Sequence, residues 1–112
     1  LEFRRGDIVY IKLDKGVGSE QGGSRPAVIV QNDVGNVFSP TIIVALVTSK
    51  TDKPTIPTHV FVPKEYGFDE DSVILCEQLK TVDKRRVFRK YKSLDSKIVG
   101  YINQALKISL AV

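Results

Sequence analysis

Two segments of this chain, residues 27–30 (AVIV) and 41–48 (TIIVALVT), are apolar at nearly every position instead of at every second or every third or fourth. A strand with one wet face alternates, and a surface helix shows a stripe. Unbroken runs of this length, rich in β-branched residues, therefore predict strands buried on both faces. Such strands need neighbours on both sides and cover above and below. At 112 residues the chain has room for one core, so a single domain spanning 1–112 is expected.

The remaining segments supply the neighbours. Residues 5–13 alternate, with Val9, Ile11 and Leu13 on one face and Ile8, Tyr10 and Lys12 on the other. A loop over 14–24 follows, then the strand at 26–31. Residues 32–40, NDVGNVFSP, read as turn chemistry throughout. After TDKPTIP breaks the sheet, THVFV resumes it, and PKEYGFDED forms a surface turn before the long strand SVILCEQLKTV. KRRVFRKY gives a further strand. From Asp95 onward the apolar residues Ile98, Val99, Ile102, Ala105, Leu106 and Leu110 form a helical stripe, with Ser93 as the expected N-cap. Gly100 weakens this helix, so either packing must stabilise it or a close neighbour must need the space. The expected fold is mainly β with a C-terminal helix: a strongly bent antiparallel sheet.

One cysteine, Cys76, excludes an internal disulfide, and with one histidine, His59, there are too few soft ligands for a structural zinc site. Cys76 reads as a small core residue and His59 as an ordinary histidine at the start of a strand. The acidic run Asp69, Glu70 and Asp71 lies in a turn and lacks magnesium-binding spacing. No metal and no cofactor are expected. No apolar stretch approaches a membrane span, and the N-terminus does not look like a secretory signal, so a cytoplasmic protein is expected.

Net charge is +4, but residues 80–92 carry seven basic groups against Asp83 alone, leaving the rest of the chain at −2. A basic patch interleaved with Val87, Phe88 and Tyr91 suits nucleic acid, or equally a sheet edge guarded by charge.

The most telling run is GSEQGGSRPAVIVQND, residues 18–33. It joins a glycine-rich loop to an Arg-Pro step and a buried strand, which presents Arg25 at the edge of a rigid sheet. The stretch resembles the MazF/PemK family of toxin endoribonucleases, whose members carry GSEQ, a short Gly-containing spacer and RPAV or RPVL near the N-terminus. Almost the whole chain can be laid on that family, whose SH3-like small barrel agrees with the order of elements above.

The resemblance implies a sequence-specific, metal-independent cut of single-stranded mRNA, in which the substrate's own 2′-hydroxyl attacks. The protein must then withdraw a proton, stabilise an anionic phosphorane and protonate the leaving 5′-oxygen. Arg25 suits the phosphorane, since a guanidinium offers several donors in a fixed fork. The family implies Thr48, at the end of the apolar strand, as its partner on the scissile phosphate, and Glu20 as the candidate for proton transfer, with orientation of Arg25 as the other role open to Glu20 and the assignment of acid and base left open. Ser19, Gln21, Ser49 and Gln78 are the candidates for reading base edges or ribose hydroxyls. Asp7, in RRGDIV, is expected to set a turn and not to act as a catalytic acid. A homodimer is expected, neutralised by an antitoxin whose disordered C-terminal segment folds along it and covers the basic residues. Two other readings stand beside this one: a non-enzymatic toxin that binds and poisons DNA gyrase, and a noncatalytic SH3-like nucleic-acid module.

Overall fold

The computed structural model describes residues 2–13, 23–52 and 55–112. Six strands, β1 (Asp7–Leu13), β2 (Gly23–Ile29), β3 (Thr41–Thr48), β4 (His59–Val62), β5 (Ser72–Asp83) and β6 (Val87–Ser93), form one sheet. A short helix α1 (Asp33–Phe38) joins β2 to β3, and the longer α2 (Ser96–Leu110) ends the chain. The strand order is β4-β5-β3-β2-β1-β6 and every pairing is antiparallel, so the mainly β fold with a C-terminal helix is the one observed.

The apolar runs behave as two-sided strands. Ala27, Ile29, Ile42, Val44 and Leu46 point into one cluster with Val9, Ile11, Val82 and Val87, while Val28, Ala45 and Val47 point into a second with Ile8, Ile74 and α2. The first cluster fills the inside of the bent sheet. The second lies between the outer face and the helix, where Ile98, Ile102 and Ala105 form the buried stripe. Fully burying Ile98 and Ile102 is worth about 1.5–3 kcal/mol each, which is why the C-terminal helix tolerates a glycine in its middle. A Cβ built on Gly100 would meet nothing within 4 Å, so packing of the opposite stripe, and not a close neighbour, accounts for this residue.

Three local readings are corrected. Residues 32–40 do not form turns alone: Asn32 caps α1 by accepting from the Gly35 amide at 2.8 Å, and Asn36 is buried. The Asn36 side chain donates to the Gln31 carbonyl at 2.9 Å and accepts from the Gln31 amide at 3.0 Å, which closes a polar network under the helix. Turn-forming residues and helix-capping residues are the same types, so the sequence could not separate the two outcomes. Ser93 is the last residue of β6, and the N-cap of α2 is Asp95, whose carboxylate accepts from the Ile98 amide at 3.0 Å. KRRVFRKY is not strand throughout: the basic stretch begins within β5, and Lys84–Arg86 form a 3₁₀ turn before β6 begins.

Asp7 is buried, and it does set the start of β1. Its carboxylate accepts from the Arg4 amide at 2.9 Å and from the Ser93 hydroxyl, and Lys90 lies 3.3 Å away. Gly6, with φ of +92°, makes the turn that brings Arg4 back to Asp7; a side chain there would be strained and would crowd Val99 at 3.2 Å.

Candidate active site

Strand register builds the site. In the β2–β3 pairing Ala27 lies opposite Leu46, so moving two residues toward the open end of the sheet sets Arg25 beside Thr48 on the inner face. Thr48 is in turn paired with Val73 on β5, and Leu75 is paired with both Leu46 and His59. Arg25, Thr48, Val73, Leu75 and His59 therefore share one face across four strands.

A break in β5 adds the polar groups. Ala45 pairs with Leu79, but its neighbour Leu46 pairs with Leu75, so Cys76, Glu77 and Gln78 bulge out of the ladder. The Cys76 amide donates to the Thr58 carbonyl at 2.9 Å and its side chain enters the core. Burial pushes the Cys76 thiol up to about 11, which leaves it protonated and unreactive. Glu77 and Gln78 are released to the inner face, where they join a cleft of about 240 Å³ lined by Arg25, Thr48, Lys50, Ile56, His59 and Leu75 among others.

The cleft has the means to hold an anion and a base. Thr48 Oγ1 accepts from the Lys50 amide at 3.1 Å, which fixes the hydroxyl while keeping its own proton available to a phosphate oxygen. Arg25 and Lys50 bring positive charge to the same wall. The His59 ring lies 3.1 Å from Glu77 Oε2, and the Thr58 hydroxyl donates to Glu77 Oε1 at 2.9 Å. Glu77, which lines the cleft with it, thus orients the imidazole, the arrangement by which a carboxylate fixes a histidine for proton transfer. Ile56, Val73 and Leu75 give an apolar floor, and the Gln78 amide can both donate and accept.

Of the residues expected to act, Arg25, Thr48 and Gln78 are brought together. Ser49, the first residue after β3, lines separate clefts with Asp69, Glu70 and Ser72 and none of the Arg25 cleft. Glu20, Ser19 and Gln21 lie outside the described residues. His59, Glu77 and Lys50 were not among the expected site residues; His59 does begin β4, but its ring faces the cleft. One signal pointed to Glu77: a polar doublet, Glu-Gln, interrupting the buried run SVILC, which a continuous two-sided strand would not accommodate.

A family model described as PemK-like, MazF-like toxin of type II toxin-antitoxin system matches residues 4–110. The chain belongs to this family. It is 50% identical over 110 residues to endoribonuclease EndoA of Bacillus subtilis (strain 168), an alignment covering 97% of this chain and 95% of that protein. Identity is also 50% over 111 residues to endoribonuclease MazF of Staphylococcus saprophyticus, covering 98% and 92%. Among solved structures the fold is similar to a chain of the MazE-MazF crystal structure (Form-II) from Deinococcus radiodurans, with a TM-score of 0.79 at 22% identity over 100% of this chain and 98% of that one. For the PemK/MazF family, then, the bent sheet with its C-terminal helix is the shared scaffold, and the inner-face cleft is what this member presents at its open end.

Proposed function

We propose that this chain is a toxin endoribonuclease that cuts single-stranded mRNA at particular sequences by internal attack of the 2′-hydroxyl, and that the whole chain acts as one domain. One observation carries the reading: Arg25 and Thr48, far apart in sequence, stand side by side on one face with His59, Glu77 and Gln78 around a single cleft. Two relatives that are half identical over nearly the whole chain and are named endoribonucleases support it.

In the proposed reaction the 2′-oxygen attacks phosphorus and loses its proton, the bond to the 5′-oxygen breaks, and that oxygen takes up a proton. The products are a 2′,3′-cyclic phosphate and a 5′-hydroxyl. Arg25 donates to the equatorial oxygens as charge gathers there, and the Thr48 hydroxyl donates to the same group. His59, held by Glu77, is the proton-transferring group that the cleft supplies, alongside Glu20 as the family-implied candidate. Gln78 reads a base edge.

Inhibition is proposed to come from an antitoxin whose disordered, acidic C-terminal segment folds on the toxin. The support is the basic stretch from Lys80 to Lys92 and the family's place in toxin-antitoxin systems. A homodimer is proposed because Val34, Val37 and Phe38 stand largely exposed together on the short helix α1, an apolar cluster of the kind that marks an interaction surface. A cytoplasmic site of action fits an mRNA substrate; among the described residues no helix is long and apolar enough to cross a membrane.

The test is cleavage of a long RNA in excess EDTA, with analysis of the product ends. Cyclic phosphate and 5′-hydroxyl ends, and an inert but still bound substrate carrying 2′-deoxyribose on the 5′ side of the cut, are expected. Dependence on added magnesium, 5′-phosphate ends, or efficient cutting of the deoxy substrate would remove the mechanism. No cleavage at all, with inhibition of gyrase, would favour the poison reading instead.

A further inference from the structure

The outer face of the β1–β6 edge carries a row of cations and aromatic rings that the cleft does not use. β6 has an irregularity here: Tyr10 is paired with Arg89 and Ile11 with Val87, so Phe88 is an extra residue in the ladder. The bulge brings Phe88 and Arg89 to the same side as Tyr10. Lys12 Nζ lies 5.9 Å from the Phe88 ring centre, and the Phe88 and Tyr10 rings are 6.3 Å apart. The Arg89 guanidinium lies 5.3 Å from the Tyr10 ring and 5.0 Å from that of Tyr91. The order along the surface is Lys12, Phe88, Tyr10, Arg89, Tyr91.

We propose that this row is an accessory track for single-stranded RNA, which extends the substrate beyond the cleavage cleft. The inference rests on the reading of the cleft as an RNA-cutting site. Unpaired bases stack on aromatic rings and on guanidinium planes, and cations between the rings neutralise the backbone; the row offers both in alternation. It begins close to the cleft, since Lys12 is paired with Ser24, the neighbour of Arg25, on the opposite face of the sheet. A strand passing over the rim beside Arg25 reaches Lys12 first.

Charge that merely guards an edge strand does not account for the rings. Lysine and arginine alone keep other strands away, whereas Phe88, 54% exposed, and Tyr91, 38% exposed, make an edge stickier. An acidic antitoxin segment folding over the same basic stretch answers its charge, whereas rings alternating with cations match the alternation of bases and phosphates in a single strand, so RNA is the occupant proposed for the row itself.

Binding by fluorescence anisotropy tests the proposal, using 2′-O-methylated oligoribonucleotides that a 2′-hydroxyl mechanism cannot cut. A short probe is compared with one longer by roughly eight nucleotides, at two salt concentrations. Wild type should bind the longer probe at least about tenfold more tightly. Phe88→Ala and Tyr91→Ala should each remove several-fold of that gain with the salt dependence kept, whereas Arg89→Gln and Lys12→Gln should each lower the salt slope by about 1. Tyr91→Phe should retain the gain. Should Tyr91→Ala unfold by circular dichroism, Phe88→Ala and Arg89→Gln carry the test, since both side chains are exposed. Equal binding of the two probes by wild type, equal weakening of both by the variants, or loss of affinity only for an acidic antitoxin peptide would overturn the track. Cleavage of unmodified RNA by wild type is scored in parallel. Cleavage without a gain from length removes the track alone, and absent cleavage removes the reading of the cleft.

Discussion

Glu77 holds His59 at 3.1 Å on the inner face of the sheet, in a cleft that also contains Arg25 and Thr48. The carboxylate is itself fixed by the Thr58 hydroxyl, so the imidazole has a defined orientation before any substrate arrives. A histidine that moves a proton in the reaction contributes about 10²–10⁴-fold to the rate. His59→Ala should therefore lower the single-turnover cleavage rate by at least about 10²-fold at unchanged RNA affinity, and Glu77→Gln should give a smaller loss of the same kind. If affinity falls and the rate holds, His59 reads the RNA and leaves proton transfer to another group, for which Glu20→Gln is the parallel variant.

Thr48 separates hydroxyl chemistry from strand packing. Thr48→Val nearly keeps the volume but removes the hydroxyl, and it also frees the Lys50 amide that Thr48 Oγ1 now accepts. Arg25→Ala should cost at least about 10²-fold in cleavage, and Thr48→Val should act in the same direction. Thr48→Ser restores the oxygen and should restore most of the activity. A Ser variant as poor as the Val variant would point to the methyl group, and so to packing.

Gly100 offers a stability test. It lies in the middle of α2 with open space where a side chain would go. Gly100→Ala should raise the unfolding free energy by about 0.5–1 kcal/mol, seen as a higher urea midpoint at constant m-value. A destabilised variant would show that the space beside Gly100 is not open in solution.

Cys76 gives a pH dependence with a definite sign. Its thiol is raised by burial from 9.0 to about 11, with the neighbouring Glu77 charge acting in the same direction. A raised folded value means the contribution to stability is complete below the unfolded value and is lost as pH climbs from 9.0 toward about 11. Stability of the wild type should fall across that window more steeply than that of Cys76→Ala, in which other groups still titrate. Equal slopes for the two proteins would show that the thiol is not held in the apolar environment described.

Strand content and the helix were legible in the sequence because burial on two faces and a helical stripe leave different periodicities. The runs at 27–30 and 41–48 and the stripe from Ile98 to Ala105 are local patterns, and packing followed them. The region around Asn36 was not legible, since capping and turn formation use the same side chains and only the buried network with Gln31 selects a helix.

For the site the division falls elsewhere. Sequence alone determined that Arg25 follows a glycine-rich stretch and precedes a buried strand segment, and that Thr48 ends a buried strand. Only the tertiary structure decided that they are neighbours, since the register of two antiparallel strands depends on the whole sheet and a slip of one residue would turn either side chain to the other face. Ser49, one residue from Thr48, lines different clefts. His59 and Glu77 belong entirely to the second class: they meet because β4 pairs with β5 where β5 bulges, a pairing between segments 18 residues apart that no local pattern encodes.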